Sequence, residues 1–191
     1  MVFHVMIIPT LNCPSNCKYC WGSENKNEMM DIKIINQIVD WLKDFRDDKI
    51  HFTFHGGEPL LAGYDYYEYA LEKLSSLDNF EGFSLQSNIW LLTEELIDLF
   101  KEYSVVISTS IDGPREINDF QRGKGYFDKT MSKFYLARDK GLQINFVLTV
   151  RKRRSCLQIR DCLRTLQDRQ TCGQIRMAYE PTDSQRLLQP H

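Results

Sequence analysis

The sequence has no excess of either charge, no long apolar run and no charged leader segment, and each absence argues against a class of protein. Its formal net charge is -2 over 191 residues, which gives no reason to expect nucleic acid or an anionic membrane as a partner. No apolar run approaches the roughly 20 residues of a membrane-spanning helix. The first ten residues lack the charged region and the small-residue cleavage site of a signal peptide. We therefore expect a soluble, cytoplasmic protein.

The six cysteines do not have the distribution of a disulfide framework, because three of them are clustered at a metal-ligand spacing. Cys13, Cys17 and Cys20 follow the pattern C-x3-C-x2-C. The spacing of the other three is unlike that of dense cluster-binding motifs, and we expect ordinary thiols at Cys156, Cys162 and Cys172. This distribution favours a reducing compartment.

Charge is distributed unevenly along the chain. Residues 1–150 contain 15 basic and 22 acidic residues, a net of -7, whereas residues 151–191 contain nine and four, a net of +5. The length suits one domain with a sizeable core. We predict a core domain over residues 1–150. Residues 151–191 are then the last βα unit of that core, or a divergent or truncated basic tail.

Apolar strand patterns alternate with helical patterns, which predicts an α/β fold with an all-parallel sheet. The predicted strands are Phe3–Ile8, Ile50–Phe54, Gly82–Gln86, Val105–Ile111, Leu142–Val150 and a short one from Ile175 to Tyr179. The predicted helices are Asp31 to about Arg46, Tyr64–Leu77, Thr93–Tyr103, Phe127–Lys140 and Cys156–Gln167. We expect Asp31 and Thr93 to be N-caps and Gly141 to end a helix. Right-handed crossovers curl such a sheet into a barrel or leave it open.

The unusual motifs of the sequence all come directly after predicted strands. The cysteines follow the first strand, residues 56–59 (GGEP) the second, residues 86–88 (QSN) the third and residues 110–114 (SIDGP) the fourth. In barrels of parallel strands, the catalytic loops lie at the carboxyl ends of the strands. We therefore expect these four motifs to share one site.

Three interpretations of the cysteine cluster are open from the residues themselves. Three thiolates from one loop can hold three irons of a four-iron cluster, which leaves the fourth iron free for a ligand. The same thiolates can bind zinc with a distant fourth ligand such as His4 or His55, or they can be buried thiols without a metal. The position directly after an amino-terminal strand favours the cluster.

Each remaining motif has a structural and a functional interpretation. Residues 56–59 form either a plain turn or a backbone that a ligand approaches closely, with Glu58 accepting a hydrogen bond from an ammonium group. Ser110 either ends a strand or binds a ribose or carboxylate. Arg122 is either a solvated surface arginine or a bidentate ligand of a carboxylate. Residues 86–88 either offer amides at the same rim or only shape their loop.

The cysteine pattern, with Tyr19 before its last cysteine, resembles the radical S-adenosylmethionine superfamily. Residues 56–61 (GGEPLL), 86–88 and 110–114 resemble more narrowly the anaerobic sulfatase-maturating enzymes and the related peptide-modifying enzymes of the SPASM group. The resemblance covers about residues 1–150. Sulfatase-maturating members carry a long C-terminal region with auxiliary clusters, and residues 151–191 lack cysteine motifs of that kind.

This resemblance implies a partial (β/α)6 barrel, one 4Fe–4S cluster and S-adenosylmethionine. By resemblance the cluster is held by Cys13, Cys17 and Cys20, and its open iron chelates the methionine moiety. The implied contacts to S-adenosylmethionine are Gly57 and Glu58 at the amino group, with Gly56 beside them, Ser110 at the ribose or methionine, Arg122 at the carboxylate, and Tyr19 and Leu148 at the adenine.

The implied activity is reductive cleavage of S-adenosylmethionine to a 5′-deoxyadenosyl radical, which abstracts hydrogen from a peptide or protein side chain. A reductant such as flavodoxin or ferredoxin supplies the electron, and the protein positions the cofactor. Two alternatives remain: a non-catalytic iron–sulfur or S-adenosylmethionine-binding module, and a small-molecule enzyme of cofactor biosynthesis. No catalytic base can be assigned from the sequence.

Overall fold

Six parallel strands form one sheet, in the order in which they occur along the chain. This computed structural model describes residues 1–20, 28–45, 47–150 and 175–179. The strands are β1 (Val2–Ile7), β2 (Lys49–Phe54), β3 (Phe80–Gln86), β4 (Val106–Ser110), β5 (Ile144–Val150) and β6 (Ile175–Tyr179). The helices are α1 (Lys33–Leu42), α2 (Tyr64–Ser75), α3 (Glu94–Glu102), α4 (Arg115–Arg122) and α5 (Tyr126–Asp139), with a short 3-10 turn at Pro59–Ala62.

The predicted α/β architecture with parallel strands is confirmed, including the short last strand. In the register of β5 and β6, Val147 lies opposite Arg176 and Val150 lies opposite Tyr179. The predicted helix over Cys156–Gln167 lies outside the described residues. No helix within the described part of the chain combines the length and the apolar composition needed to cross a bilayer.

Helix α4 is the element that the sequence analysis missed. Its inward side carries polar side chains, because Asn118 and Arg122 are buried while Phe120 is 69% exposed. This is the reverse of the usual apolar stripe of a surface helix, so hydrophobic periodicity predicts the wrong inward side. The buried polar side of α4 already indicates a contact other than ordinary core packing.

The predicted end signals hold at two helices and shift at a third. The Thr93 side chain accepts a hydrogen bond from the backbone N–H of Leu96 at 3.3 Å and caps α3. Gly141, with φ of +78°, follows the last turn of α5. Helix α1 ends at Leu42, earlier than the predicted end near Arg46, which lies outside the described residues.

The strands have one apolar and one polar face. Phe52, Phe54 and Phe83 are almost fully buried and belong to the hydrophobic core that the helices cover. The alternate residues of β2, β3 and β4 line a cavity on the opposite face, and we call them the polar wall: His51, Thr53, Ser84, Gln86, Ser108 and Ser110. Packed (β/α)8 barrels fill such inward positions with branched apolar side chains. The polar wall therefore indicates a ligand-binding interior.

The turn after β2 lies directly against the chain that follows β1. The backbone N–H of Gly57 donates to the Thr10 carbonyl at 3.0 Å, and that of Glu58 donates to the Asn12 carbonyl at 2.7 Å. A Cβ atom at Gly57 would stand 2.2 Å from the Asn12 carbonyl oxygen. Because a side chain would separate the two backbones, glycine at this position is a requirement of packing.

We predict that Gly57→Ala destabilises the fold by about 2 kcal/mol or more, since the new methyl group overlaps backbone atoms that cannot rotate away. Gly82→Ala is the matched control, because a Cβ at Gly82 would meet the His51 ring at an ordinary 3.4 Å. We expect the control to stay within about 1 kcal/mol of the wild type. Urea unfolding of the two variants measures the difference, and equal stabilities would contradict the packing argument.

Candidate functional site

A cavity of about 1090 Å³ along the polar face of the sheet brings the four motifs together. Its size is in the range of small-molecule and cofactor sites. The predicted site residues among its lining are Cys13, Cys17, Tyr19, Cys20, Gly56, Gly57, Glu58, Ser110 and Arg122. Since parallel strands end at one edge of the sheet, the loops that follow them meet there.

Leu148 is the predicted site residue that the structure does not bring to this cavity. Its side chain is 1% exposed and belongs to the hydrophobic core. The preceding residue, Val147, lines the cavity instead. Because neighbouring residues of a strand point to opposite faces, a shift of one position along β5 separates core from site.

The cysteine loop directs hydrogen-bond donors at its own sulfur atoms. The backbone N–H of Ser15 donates to Sγ of Cys13 at 3.5 Å, and the Ser15 hydroxyl lies 3.2 Å from Sγ of Cys17. Nδ2 of Asn88 donates to Sγ of Cys13 at 3.8 Å. Hydrogen bonds of this kind tune thiolates that ligate iron–sulfur clusters. The Asn88 amide thus lies at the same rim as the cysteine loop, as one of the two interpretations of residues 86–88 predicts.

Burial raises the pKa of the Cys13 thiol to about 11, and the negative charge of Glu58 adds to this rise. A thiolate at this position therefore needs a compensating positive charge, and metal ligation supplies one. Cys17 is half-buried and Cys20 is exposed. The three sulfurs thus reach from the cavity interior to the surface of the protein.

The arrangement favours a cluster over a single zinc ion. Among the residues that the structure describes, no three His, Cys, Asp or Glu side chains converge on one ion position. Both candidate histidines also make other contacts: Nδ1 of His55 accepts from the Gly56 N–H at 2.6 Å, and the His4 ring packs 5.4 Å from that of His51. A four-iron cluster binds each thiolate through a different iron, so spaced sulfurs on one cavity wall fit it.

Glu58 is fully buried and connects the turn after β2 to the loop after β3. Its Oε1 accepts from the Leu60 N–H at 3.0 Å and from the Ser87 hydroxyl at 2.6 Å, and its Oε2 accepts from the Asn88 N–H at 2.8 Å. Burial raises the pKa of this carboxyl, while these three hydrogen bonds lower it. Residues 86–88 therefore do shape their loop, and hydrogen bonds to the Glu58 carboxylate anchor that loop.

Arg122 is 6% exposed and is not a solvated surface arginine. Its Nε donates to Oδ2 of Asp112 at 2.7 Å and its Nη2 donates to Oδ1 at 2.8 Å. The guanidinium lies between two rings, with the centroids of Tyr19 and Tyr126 each 5.2 Å away. Asp112, named above only within residues 110–114, is thus the partner of Arg122.

Ser110 ends β4 inside the cavity, where its hydroxyl accepts a hydrogen bond from Nε2 of Gln86 at 3.2 Å. This contact links the loops that follow β3 and β4. The Ser110 hydroxyl therefore has a defined position beside the cysteine loop and the turn after β2.

Comparison with known proteins assigns this site to a family. A family model described as the Radical SAM superfamily matches residues 7–152. The chain belongs to the radical SAM superfamily. Membership implies a 4Fe–4S cluster and S-adenosylmethionine, and the three thiols at the cavity wall fit the cluster.

Relatives within the superfamily include proteins with and without an assigned activity. The chain is 52% identical over 151 residues to an uncharacterized protein of Methanothermobacter thermautotrophicus, covering 78% of this chain and 58% of that relative. It is 29% identical over 166 residues to a serine-type anaerobic sulfatase-maturating enzyme of Bacteroides thetaiotaomicron, covering 77% of this chain and 39% of the enzyme. The chain thus spans between about two fifths and three fifths of these relatives.

Solved structures of anSMEcpe share the fold. One contains bound AdoMet and matches with a TM-score of 0.82 at 21% identity, covering 94% of this chain and 51% of anSMEcpe. Another contains AdoMet and the Cp18Cys peptide and also matches with a TM-score of 0.82. The radical SAM core predicted from the sequence is therefore the fold of this chain.

We predict that Glu58→Gln lowers the free energy of unfolding by about 1–3 kcal/mol, because the new NH2 group must face one of three donors in a buried site. Glu68→Gln is the matched control, since Glu68 is exposed on α2 and accepts a hydrogen bond from the Tyr64 hydroxyl. We expect the control to change stability by less than about 0.5 kcal/mol. Chemical denaturation measures both variants; equal stability would show that the carboxylate is not the anchor.

Proposed function

We propose that this chain is the S-adenosylmethionine-cleaving core of a radical SAM enzyme that modifies a peptide or protein side chain. The observation that supports this most is the shared cavity, where the three-thiol loop faces Gly57, Glu58 and Ser110. When bound, the 4Fe–4S cluster and S-adenosylmethionine supply reductive C–S bond cleavage and a 5′-deoxyadenosyl radical for hydrogen abstraction. The chain itself binds, orients and shields these groups.

In this proposal Cys13, Cys17 and Cys20 are the three cluster ligands. The Ser15 N–H and the Asn88 side-chain amide stabilise negative charge on the sulfur of Cys13. Cys20 is exposed, so the cluster side of the loop is accessible to a reductant such as flavodoxin or ferredoxin.

The turn at Gly56, Gly57 and Glu58 holds the amino group of the methionine moiety. All three backbone N–H groups of this turn are used inside the protein, by His55, Thr10 and Asn12 respectively. An ammonium group is a donor, so it is recognised by the carbonyl oxygens of the turn. The buried carboxylate of Glu58 also makes the electrostatic potential at this turn more negative, which favours an ammonium group.

The ribose and adenine lie along the polar wall. Ser110, positioned by Gln86, offers a hydroxyl to the ribose or the methionine moiety. Tyr19 offers its ring to the adenine, and Val147 offers on β5 the apolar contact that the resemblance assigns to Leu148.

A peptide or protein substrate is supported by the relatives. Two kinds of anaerobic sulfatase-maturating enzyme, serine-type and cysteine-type, match over about three quarters of this chain. The structural neighbour with a bound peptide has the same core fold. We place the enzyme in the cytoplasm, where thiolate ligands and reductants persist.

The test is anaerobic cluster reconstitution, reduction with dithionite and chromatography of the products. We expect a brown protein that forms 5′-deoxyadenosine from S-adenosylmethionine, and loss of both cluster and product in Cys17→Ala. Cys156→Ala is the matched control, because its spacing predicts an ordinary thiol, and it keeps the wild-type rate. A full cluster in the wild type without any 5′-deoxyadenosine would overturn the proposal.

Electron paramagnetic resonance separates the non-catalytic alternative. A reduced cluster whose signal shifts on addition of S-adenosylmethionine, without cleavage, identifies a binding module. A shift that accompanies cleavage identifies the enzyme.

A further inference from the structure

Four side chains, of which Tyr19 is half-buried and the other three are buried, lie between the cysteine loop and α4, and we call them the seam cluster: Tyr19, Asp112, Arg122 and Tyr126. Asp112, Arg122 and Tyr126 are between 2% and 6% exposed. Arg122 binds both oxygens of the Asp112 carboxylate, and the Tyr19 hydroxyl donates to Oδ2 of the same carboxylate at 2.5 Å. A hydroxyl from the cysteine loop is thus tied to a buried ion pair of the scaffold.

The backbone of the cysteine loop follows the same seam. The Ser15 hydroxyl donates to the Arg122 carbonyl at 3.2 Å, and the Lys18 N–H donates to the Gln121 carbonyl at 2.9 Å. Nζ of Lys18 lies 3.3 Å from the centroid of the Phe120 ring, on the exposed side of α4. The loop therefore contacts the last turn of α4 on both sides of Cys17.

Asp112, which pairs with Arg122, also holds helix α4 in place. The Asp112 N–H donates to Oδ1 of Asn118 at 3.0 Å, while the Asp112 carboxylate holds Arg122 one turn further along the helix. Backbone and side chain of Asp112 thus both bind the inward side of α4. This explains why the helix buries polar residues where a surface helix buries apolar ones.

A ligand carboxylate would have to share the Arg122 guanidinium with Asp112. The Nε and Nη2 edge of the guanidinium, which matches a carboxylate, is occupied by Asp112. Nη1 lies 3.5 Å from the Tyr126 hydroxyl. A ligand carboxylate could therefore reach Arg122 along its other edge, through Nη1 and the second N–H of Nη2.

We infer that Tyr19, Asp112 and Arg122 are positioning residues, which hold the cysteine loop at the spacing that cluster ligation needs. The ion pair is a fixed point of the scaffold. The hydrogen bond from the Tyr19 hydroxyl to Asp112 attaches the cysteine loop to it at the residue directly before Cys20. A buried carboxylate paired with arginine resists displacement, because moving either charge leaves the other unpaired in a low-dielectric site. The inference rests on the proposed function only in taking Cys13, Cys17 and Cys20 as cluster ligands.

The first test is hydrogen exchange of the full-length protein, measured by mass spectrometry before and after cluster reconstitution. Tyr19→Phe keeps the ring beside Arg122 and removes only the hydrogen bond to Asp112. We expect protection of the loop amides in residues 14–20 to fall about tenfold, the effect of losing one hydrogen bond to a charged group, with α3 and β4 unchanged. Tyr64→Phe on exposed α2 is the control, and its loop amides exchange at the wild-type rate.

The second test separates positioning from direct ligand binding. Arg122→Lys keeps the charge but loses the paired edge. We expect Arg122→Lys to increase hydrogen exchange of the loop amides and to broaden the electron paramagnetic resonance signal of the reduced cluster. We expect the same two effects from Asp112→Asn. If Arg122 instead binds the carboxylate of S-adenosylmethionine, Arg122→Lys lowers affinity for S-adenosylmethionine while loop exchange stays at the wild-type rate.

Unchanged loop protection in Tyr19→Phe overturns the inference, and so does a change in Arg122→Lys confined to affinity. Loop exchange is measured without S-adenosylmethionine, so it is independent of whether the protein cleaves that molecule. A protein that retains the seam and its effect on exchange but never forms 5′-deoxyadenosine would contradict the proposed function alone.

Discussion

The parallel register of β1 and β2, in which Ile7 lies opposite Phe54, is the constraint on which the site depends. It brings the chain after β1 and the turn after β2 to the same edge, and their backbones then pack so closely that only glycine fits at residue 57. The same parallel pairing continues through β3 and β4, so that Ser87 and Asp112 reach this edge as well. Hydrogen bonds then join the loops that follow β1, β2 and β3 to one another.

Two buried carboxylates, those of Glu58 and Asp112, hold these loops together. Glu58 collects donors from its own turn and from the loop after β3, and Asp112 collects donors from Arg122 and from the cysteine loop. Buried charges are costly unless they are paired or hydrogen-bonded, and both carboxylates are. Their satisfied partners explain why acidic residues inside a cofactor cavity stabilise loops here, in addition to any effect on a bound ligand.

The parts of the fold that could be predicted are those with a strong local signal. Apolar strands, the Thr93 cap and the glycine after α5 follow from side-chain chemistry within a few residues. Helix α4 could not be predicted from apolar periodicity, because its inward residues Asn118 and Arg122 are polar and bind Asp112. The resemblance implies a contact at Leu148, whereas Val147 lines the cavity, and strand periodicity alone identifies two faces without saying which one meets the cavity.

The sequence by itself determined the family, the cluster-binding pattern and the order of the motifs, because residue type and spacing along one loop suffice to specify metal ligands. Only the tertiary structure decided what the charged residues of those motifs contact. Arg122 and Asp112 are ten residues apart and Glu58 and Asn88 are thirty residues apart, and their pairing depends on how the crossovers fold back onto the sheet. Local chemistry sets which groups can bind a cofactor, whereas packing at the strand ends sets which of them are already bound to one another.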